Sequence, residues 1–380
     1  MNQASKKYMH KQKTISECDM TKINDYRDKK YFFFTILIAA LFLLSVSNII
    51  AQEKEENSYS FVTDVSGVGT SAAPFLEIDA GARSSSLGGA YTSVANDVSA
   101  LYWNPAGIVW NPGLQIEFSH SPWLADISYN FFGITQSLPS INSSIGFSLI
   151  NLDYGEQTVR TVDRPEGTGE TYGASDMSLA LTFAMALTDR FSFGITGKYI
   201  AQKIYSAEGS AFAIDVGVYY STMLKGLRLG ASVSNFGSQI QLSGRHLTTI
   251  VDPDPTVDNF DRVPVSYKTG QYDLPLLFRA GISYQRDFGN FGEFLLSMDL
   301  NHPSHATESI SLGFEYGFAK TFYIRSGYKN LFERDSIVGL SFGAGIDYQI
   351  QHSLGIRFDY SWTDWGVLKS AQRFSVALIF

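Results

Sequence analysis

The 380-residue chain is 44% hydrophobic and 14% aromatic but only 17% charged, below the roughly 25% of soluble domains, and its 33 Gly, 28 Phe and 21 Tyr favour strands joined by tight turns. Residues 1–30 hold eight basic and four acidic side chains and 31–51 hold none, so the remainder carries 21 basic against 33 acidic groups, a net of −12; this excludes nucleic-acid binding, which needs a basic footprint. The one cysteine, Cys18, lies in the N-terminal tail, which excludes disulfides, thiolate catalysis and Cys-ligated zinc from the processed chain.

Lys29 and Lys30 lead into the uncharged run Tyr31–Val46, which degrades through Ser47, Asn48, Ile49 and Ile50 to Ala51 and the charged stretch Gln52–Glu56. A basic region, an apolar core and a small residue before polar sequence predict a secretory signal peptide cleaved near Ala51. The competing reading is a permanent anchor, since the run approaches the minimum spanning length. The 30 residues upstream are long and polar for such a region, which makes Met9 or Met20 candidate starts. Cys18 precedes the run and so cannot be a lipobox cysteine.

Residues 52–111 do not alternate cleanly. Gly81–Tyr91, rich in Ser, Gly and Ala, leads to Asp97–Gly107. Gly88 and Gly89 allow backbone shapes that other residues resist, and Asn104–Pro105 fixes a turn. Such a segment ahead of the first strand can fold inside a barrel as a hatch. The expected organisation is a tail and signal over 1–51, a hatch over 52–111 and a barrel over 112–380.

The rest alternates. In Ser309–Phe318, Ile310, Leu312, Phe314, Tyr316 and Phe318 share one parity, while Ser311, Gly313, Glu315 and Gly317 hold the other. The pattern recurs over Ala211–Tyr220 and over Ser353–Trp362. Successive residues of a strand point to opposite faces. One face here is greasy and ends in aromatics; the other is small or charged. A transmembrane β-barrel has this signature: lipid outside, a polar lumen, aromatic girdles at the interfaces.

Fourteen such runs are predicted, near 113–120, 127–137, 143–154, 176–187, 190–204, 211–222, 226–237, 275–287, 291–300, 308–318, 321–331, 336–350, 352–362 and 371–380. For a chain entering from the periplasm, the even-numbered gaps should be tight turns. They are short: 139–142, 188–189, 223–225, 288–290, 319–320 and 351. The two long gaps, Gly155–Ser175 and Ser238–Leu274, are both odd, and long extracellular loops are usual in this membrane class. At the C-terminus, Phe374, Val376, Leu378 and Phe380 alternate to a terminal aromatic. This resembles the signal by which outer-membrane barrels are handed to their insertion machinery.

Residues 73–109, APFLEIDAGARSSSLGGAYTSVANDVSALYWNPAGIV, resemble the signature of the PorV/PorQ family of bacterial outer-membrane proteins. That family is similar to the FadL fatty-acid channels, with fourteen strands, an N-terminal hatch and a related Asn-Pro-Ala motif. The resemblance implies an all-β, FadL-like barrel and a role in type IX secretion. PorV-type members accept secreted proteins bearing a C-terminal targeting domain from the translocon and carry them to the attachment machinery; PorQ-type members belong to the attachment complex. This chain matches the general pattern of the family more than either member. The implied partners are outer-membrane lipid, the translocon and secreted proteins; the alternative function is a FadL-like channel for a lipid-like or other hydrophobic ligand.

On the motif, Gly81, Arg83, Gly88, Gly89, Asn104, Pro105, Ala106 and Gly107 read as plug architecture, with a gate or ligand surface as the functional version. By parity, Asp215, Arg228, Arg279, Glu315, Arg325, Lys329, Asp347, Arg357, Asp359 and Arg373 point into the lumen. Their mixed signs favour a salt-bridged seat for the plug over an ion-selective pore, with Arg83 meeting a lumen carboxylate. The loop Val251–Asp261 holds four aspartates but lacks calcium-loop spacing, and reads as a solvated outer loop. His302 and His305 fall in an outer hairpin with no third metal ligand nearby. Gly67-Val-Gly69 is too weak a signal for a phosphate loop, and neither a P-loop nor a G-x-S-x-G elbow occurs. No enzymatic activity and no cofactor is expected.

Overall fold

The computed structural model describes residues 69–252, 263–333, 336–351 and 354–380. The signal region and most of the aspartate-rich loop lie outside them. The compact unit comprises Val65–Arg286 and Glu293–Phe380; a second unit, Met1–Asp64 with Asp287–Gly292, contributes to the described residues only a turn closed by Phe288 N–H donating to Gly292 O at 2.8 Å.

Fourteen antiparallel strands form one closed sheet. They are β1 (Leu114–Pro122), β2 (Ser128–Leu138), β3 (Ser143–Thr158), β4 (Thr171–Ala186), β5 (Phe191–Ile204), β6 (Ala207–Ser221), β7 (Leu227–Gly237), β8 (Leu277–Asp287), β9 (Glu293–Pro303), β10 (Ser309–Phe318), β11 (Phe322–Leu331), β12 (Leu340–Gln351), β13 (Leu354–Asp364) and β14 (Ser370–Ile379). Each pairs with its chain neighbours, and β1 closes the ring on β14 in the register Gln115↔Ile379 to His120↔Phe374. Closure removes the free edges that an open sheet would expose. Among the described residues no helix is long and apolar enough to cross a membrane; strands do the crossing.

The period-two pattern decides which face meets lipid. On β10, Ser309, Ser311, Gly313 and Glu315 are buried inside while Ile310, Leu312, Phe314 and Tyr316 face out. Leu181 and Phe212, on the outer face, are each 69% exposed, which suits lipid and would be costly in water. Outer aromatics pack across strands, as in Tyr360–Phe374 with ring centroids 5.1 Å apart.

The two ends differ. Connections 139–142, 187–190, 222–226 and 319–321 lie at one end, and 159–170 and the described parts of the next long connection, 238–252 and 263–276, lie at the other. The gap after β3 is shorter than the alternation suggested, because β3 runs on to Thr158 and β4 begins at Thr171. A register shift between Asp153 and Glu156, at Gly155 with φ +70°, separates this extension from the membrane-facing part. About ten residues suffice for a tilted strand to cross, so the 16 residues of β3 and of β4 rise beyond the apolar belt. Their polar ends carried no lipid-facing signature to read.

Residues 72–111 occupy the barrel interior. They form a 3₁₀ turn at Pro74–Glu77, α1 (Ala82–Ser86), α2 (Ala100–Trp103) and a 3₁₀ turn at Pro105–Trp110. Leu87, Tyr91, Val94, Val98, Leu101, Trp103 and Ile108 are buried against Tyr129, Phe131, Ile150 and Ile200 of the wall. The segment starts at the long-loop end, where Ala72 N–H donates to Asp273 O at 2.8 Å. It finishes at the short-turn end, where Phe380 N–H donates to Leu114 O at 2.8 Å. An epitope inserted at the exposed Gly69 is therefore expected to bind antibody on intact cells; binding only after permeabilisation would contradict this orientation.

Candidate functional site: a plug seated on a buried ion network

α1 is only five residues long, too short to be stable alone, so its position is set by what it touches. Arg83 projects from it into the wall. Its Nε donates to Glu315 Oε2 and its Nη2 to Glu315 Oε1, both at 2.9 Å. Its Nη1 reaches Tyr91 Oη at 3.1 Å, Asn96 Oδ1 at 3.1 Å and Asp97 Oδ2 at 3.3 Å. This is the fork geometry in which guanidinium outperforms ammonium. Arg83 thus meets a specific lumen carboxylate.

The wall extends the network. Arg325 Nε donates to Glu315 Oε2 at 2.5 Å and its Nη1 to Asp359 Oδ1 at 2.6 Å. Arg357 reaches Asp97 Oδ2 and Asp347 Oδ2, each at 3.4 Å. Three arginines and four carboxylates from the plug and from β10 to β13 therefore share one interior cluster. Charges taken out of water are tolerated only when paired and hydrogen-bonded in this way.

The other lumen-facing residues take separate posts. Asp215 on β6 pairs with Lys198 on β5 at 2.6 Å. Arg228 donates to Gln285 Oε1 at 2.6 Å. Arg279 lies over Trp103 and Tyr102, its guanidinium carbon 4.9 and 5.4 Å from the ring centroids. Arg373 lies over Trp123 and Tyr129 and donates to Ser85 Oγ. Lys329 Nζ pairs with Asp79 at 2.7 Å.

Asn104 shows why the Asn-Pro-Ala-Gly stretch folds as it does. Its Oδ1 accepts from Ala106 N–H at 3.2 Å, capping the 3₁₀ turn, and its Nδ2 donates to Thr92 O at 2.9 Å and to Val218 O at 3.0 Å on β6. Pro105 starts that turn without wasting a donor. Gly81 and Gly89, with φ +88° and +75°, flank α1 in conformations L-residues resist, and Gly107 packs on the Ala95 backbone. Gly88, at φ +65°, lies against the backbone of Tyr328, where a Cβ would come within 2.7 Å of the amide nitrogen.

Several plug contacts went unread in the sequence. Asp299 Oδ2 accepts from the amides of Tyr91 and Thr92 at 2.9 and 2.7 Å. Ser375 Oγ accepts from Ala82 N–H at 2.8 Å, and Ser232 Oγ donates to Trp103 O at 3.0 Å. Wall glycines matter as much: Gly327 faces Leu87 and Gly88, and Gly217 faces Asn104 and Pro105. Their parity marked them as small and inward; the plug backbone they admit could not be known from one strand.

His302 and His305 do not converge. His302 Nδ1 lies 3.1 Å from Glu308 Oε1, and His305 Nε2 lies 3.2 Å from Glu77 Oε2 on the plug. The hydrogen bond to Glu77 raises the His305 pKa above its ordinary value of 6.5. A raised imidazole pKa stabilises the folded contact fully below the unfolded value and loses it as pH rises through the folded one. Hydrogen-exchange protection of the amides of residues 75–78, taken relative to the intrinsic exchange rate at each pH, is thus expected to be higher at about pH 5.5 than at about pH 8.5. The difference should vanish in His305→Gln; persistence there would contradict the assignment.

At the long-loop mouth, above the plug, a cavity of about 350 Å³ is lined by Glu77, Asp79, Arg279, Asn301, His305 and Lys329 among others. Its walls mix these polar and charged groups with apolar ones, among them Trp103, Leu277, Val338 and Trp365.

A closed sheet with a greasy exterior and a charged, plugged interior defines an outer-membrane β-barrel. The type IX secretion system protein PorV family matches over residues 54–245, and this chain belongs to that family. A search of curated proteins finds no match. Among solved structures, the CymD monoaromatic hydrocarbon channel is 11% identical with a TM-score of 0.50, covering 78% of this chain and 96% of that one. This likeness shows a FadL-like fold alone. The toluene transporters TbuX of Ralstonia pickettii and TodX of Pseudomonas putida are 12% and 13% identical, each with a TM-score of 0.48 and 79% of this chain covered, and cover 97% and 96% of those chains.

Proposed function

We propose that this barrel binds secreted proteins of the type IX pathway at its long-loop end and hands them on, and that it does not pass them through its lumen. The observation that carries this reading is the interior. Ala80, Leu87, Ala90, Tyr91, Val94 and Val98 of the plug have no exposed surface, and Arg83 of the plug holds Glu315 of the wall through two bonds of 2.9 Å, with Arg325 bracing Glu315 and Asp359 on the wall side at 2.5 and 2.6 Å. A path for a chain would require breaking buried ion pairs. The long-loop end, by contrast, presents Val162, Ile250 and Tyr267, exposed by 100%, 66% and 70%, and exposed apolar groups of this kind mark interaction surfaces. Membership of the PorV family supports the pathway.

The test is affinity capture of the tagged protein from gently solubilised outer membranes, read by mass spectrometry. Co-purification with secreted proteins that share a C-terminal targeting domain, or with a very large translocon protein, is the expected result. Recovery of the barrel alone, with bound lipid, under conditions that preserve the secretion complex would transfer the assignment to a FadL-like channel for hydrophobic small molecules.

A further inference from the structure

The β7–β8 connection carries a small sheet of its own, Thr248–Val251 antiparallel to Val263–Ser266. Among the described residues these strands pair only with each other. The register is Thr248↔Ser266, Thr249↔Val265, Ile250↔Pro264 and Val251↔Val263, and Tyr267 N–H donates to Leu247 O at 2.8 Å. Antiparallel ladders alternate bonded and non-bonded pairs. With 247/267 bonded, 249/265 and 251/263 are bonded too. The main-chain groups of Thr248, Ile250, Pro264 and Ser266 therefore point away from the hairpin, toward its two edges.

The edges are not equivalent. Pro264 stands where the Val263–Ser266 edge would need an N–H, and proline on an edge blocks further pairing. The Thr248–Val251 edge has no such block: Ile250 offers both its N–H and its C=O outward. An isolated two-stranded hairpin is marginal, and this one leaves Ile250, Val251, Val263 and Val265 exposed by 66%, 41%, 45% and 40%. One open edge and apolar side chains on both faces are the features of a strand acceptor.

We propose that Thr248–Val251 is a docking edge to which a secreted cargo protein adds one of its own extended strands. The inference rests on the cargo-binding reading and supplies its mode. Main-chain hydrogen bonds at Thr248 and Ile250 would give the affinity, and contacts with Ile250 on one face and Val251 on the other would select a strand with β-branched or apolar residues on both faces.

The test uses the full-length barrel in nanodiscs, with Cys18 replaced by Ser, and the purified C-terminal domain of a protein secreted by the same bacterium. Single cysteines are walked along each strand of that domain. A Thr249→Cys barrel should crosslink to every second position of one cargo strand, and a Val265→Cys barrel, on the blocked edge, to none. Ile250→Pro, which deletes the outward amide, should weaken binding by about tenfold, as expected for one or two lost main-chain hydrogen bonds; Ile250→Ala, which keeps the amide, should weaken it less. Equal crosslinking from both edges, or parental affinity in Ile250→Pro, would overturn the docking edge and leave the cargo reading standing. Absence of binding to every form would overturn both.

Discussion

Replacing Arg83 with Ala is expected to unseat the plug. The guanidinium holds Glu315 through two bonds of 2.9 Å and lies 3.3 Å from Asp97. Without it, Glu315 retains Arg325, while among the described residues Asp97 retains only Arg357 at 3.4 Å as an ionic partner. Removing one member of a buried ion pair costs about 3–5 kcal/mol, because the partner's charge stays buried. Thermal release of the purified barrel should fall accordingly, and conductance in planar bilayers should rise as the plug loosens. Arg83→Lys keeps the charge but not the fork, so it should recover only part of the loss. Unchanged conductance and unchanged melting in Arg83→Ala would contradict the seat.

The second large effect is expected at Gly327. A Cβ there would stand 2.7 Å from Leu87 O and closer still to the Gly88 amide nitrogen. Both are main-chain atoms, which no rotamer change can move aside. Overpacking of a filled interior costs about 1–3 kcal/mol, and a clash of backbone with side chain belongs at the upper end. Gly327→Val should therefore expose the plug to protease and lower the yield of heat-resistant barrel. Gly197→Val is the control: a Cβ there meets nothing within 4 Å, on the lipid face, and should be tolerated. Equal behaviour of the two variants would refute the claim that plug and wall meet backbone to backbone.

Much of this was legible because membrane strands repeat with period two. Alternation in segments such as Ser309–Phe318 located the walls, and parity alone sent Glu315, Arg325 and Asp359 inward. It did not say how high each residue stands, so parity could not match Arg83 to Glu315 rather than to Asp347. Plug partners such as Asp299 for Tyr91 lie 208 residues away in the chain, and no local pattern encodes a contact at that range. The extensions of β3 and β4 and the loop hairpin at Thr248–Val251 were also silent. Outside the lipid belt a strand has no greasy face to reveal it, and Pro264 argues against a strand even where one forms.

The most direct test of the account separates loop from lumen. Residues 243–268 would be replaced by a short Gly-Ser linker in one strain and Arg83 by Ala in another, and secreted proteins reaching the cell surface would be quantified in both. Loss of surface delivery in the loop variant, with near-normal delivery in the Arg83 variant, is the predicted result. Normal delivery without the loop, and failed delivery with a loosened plug, would contradict a cargo-binding barrel and show that the lumen carries the function.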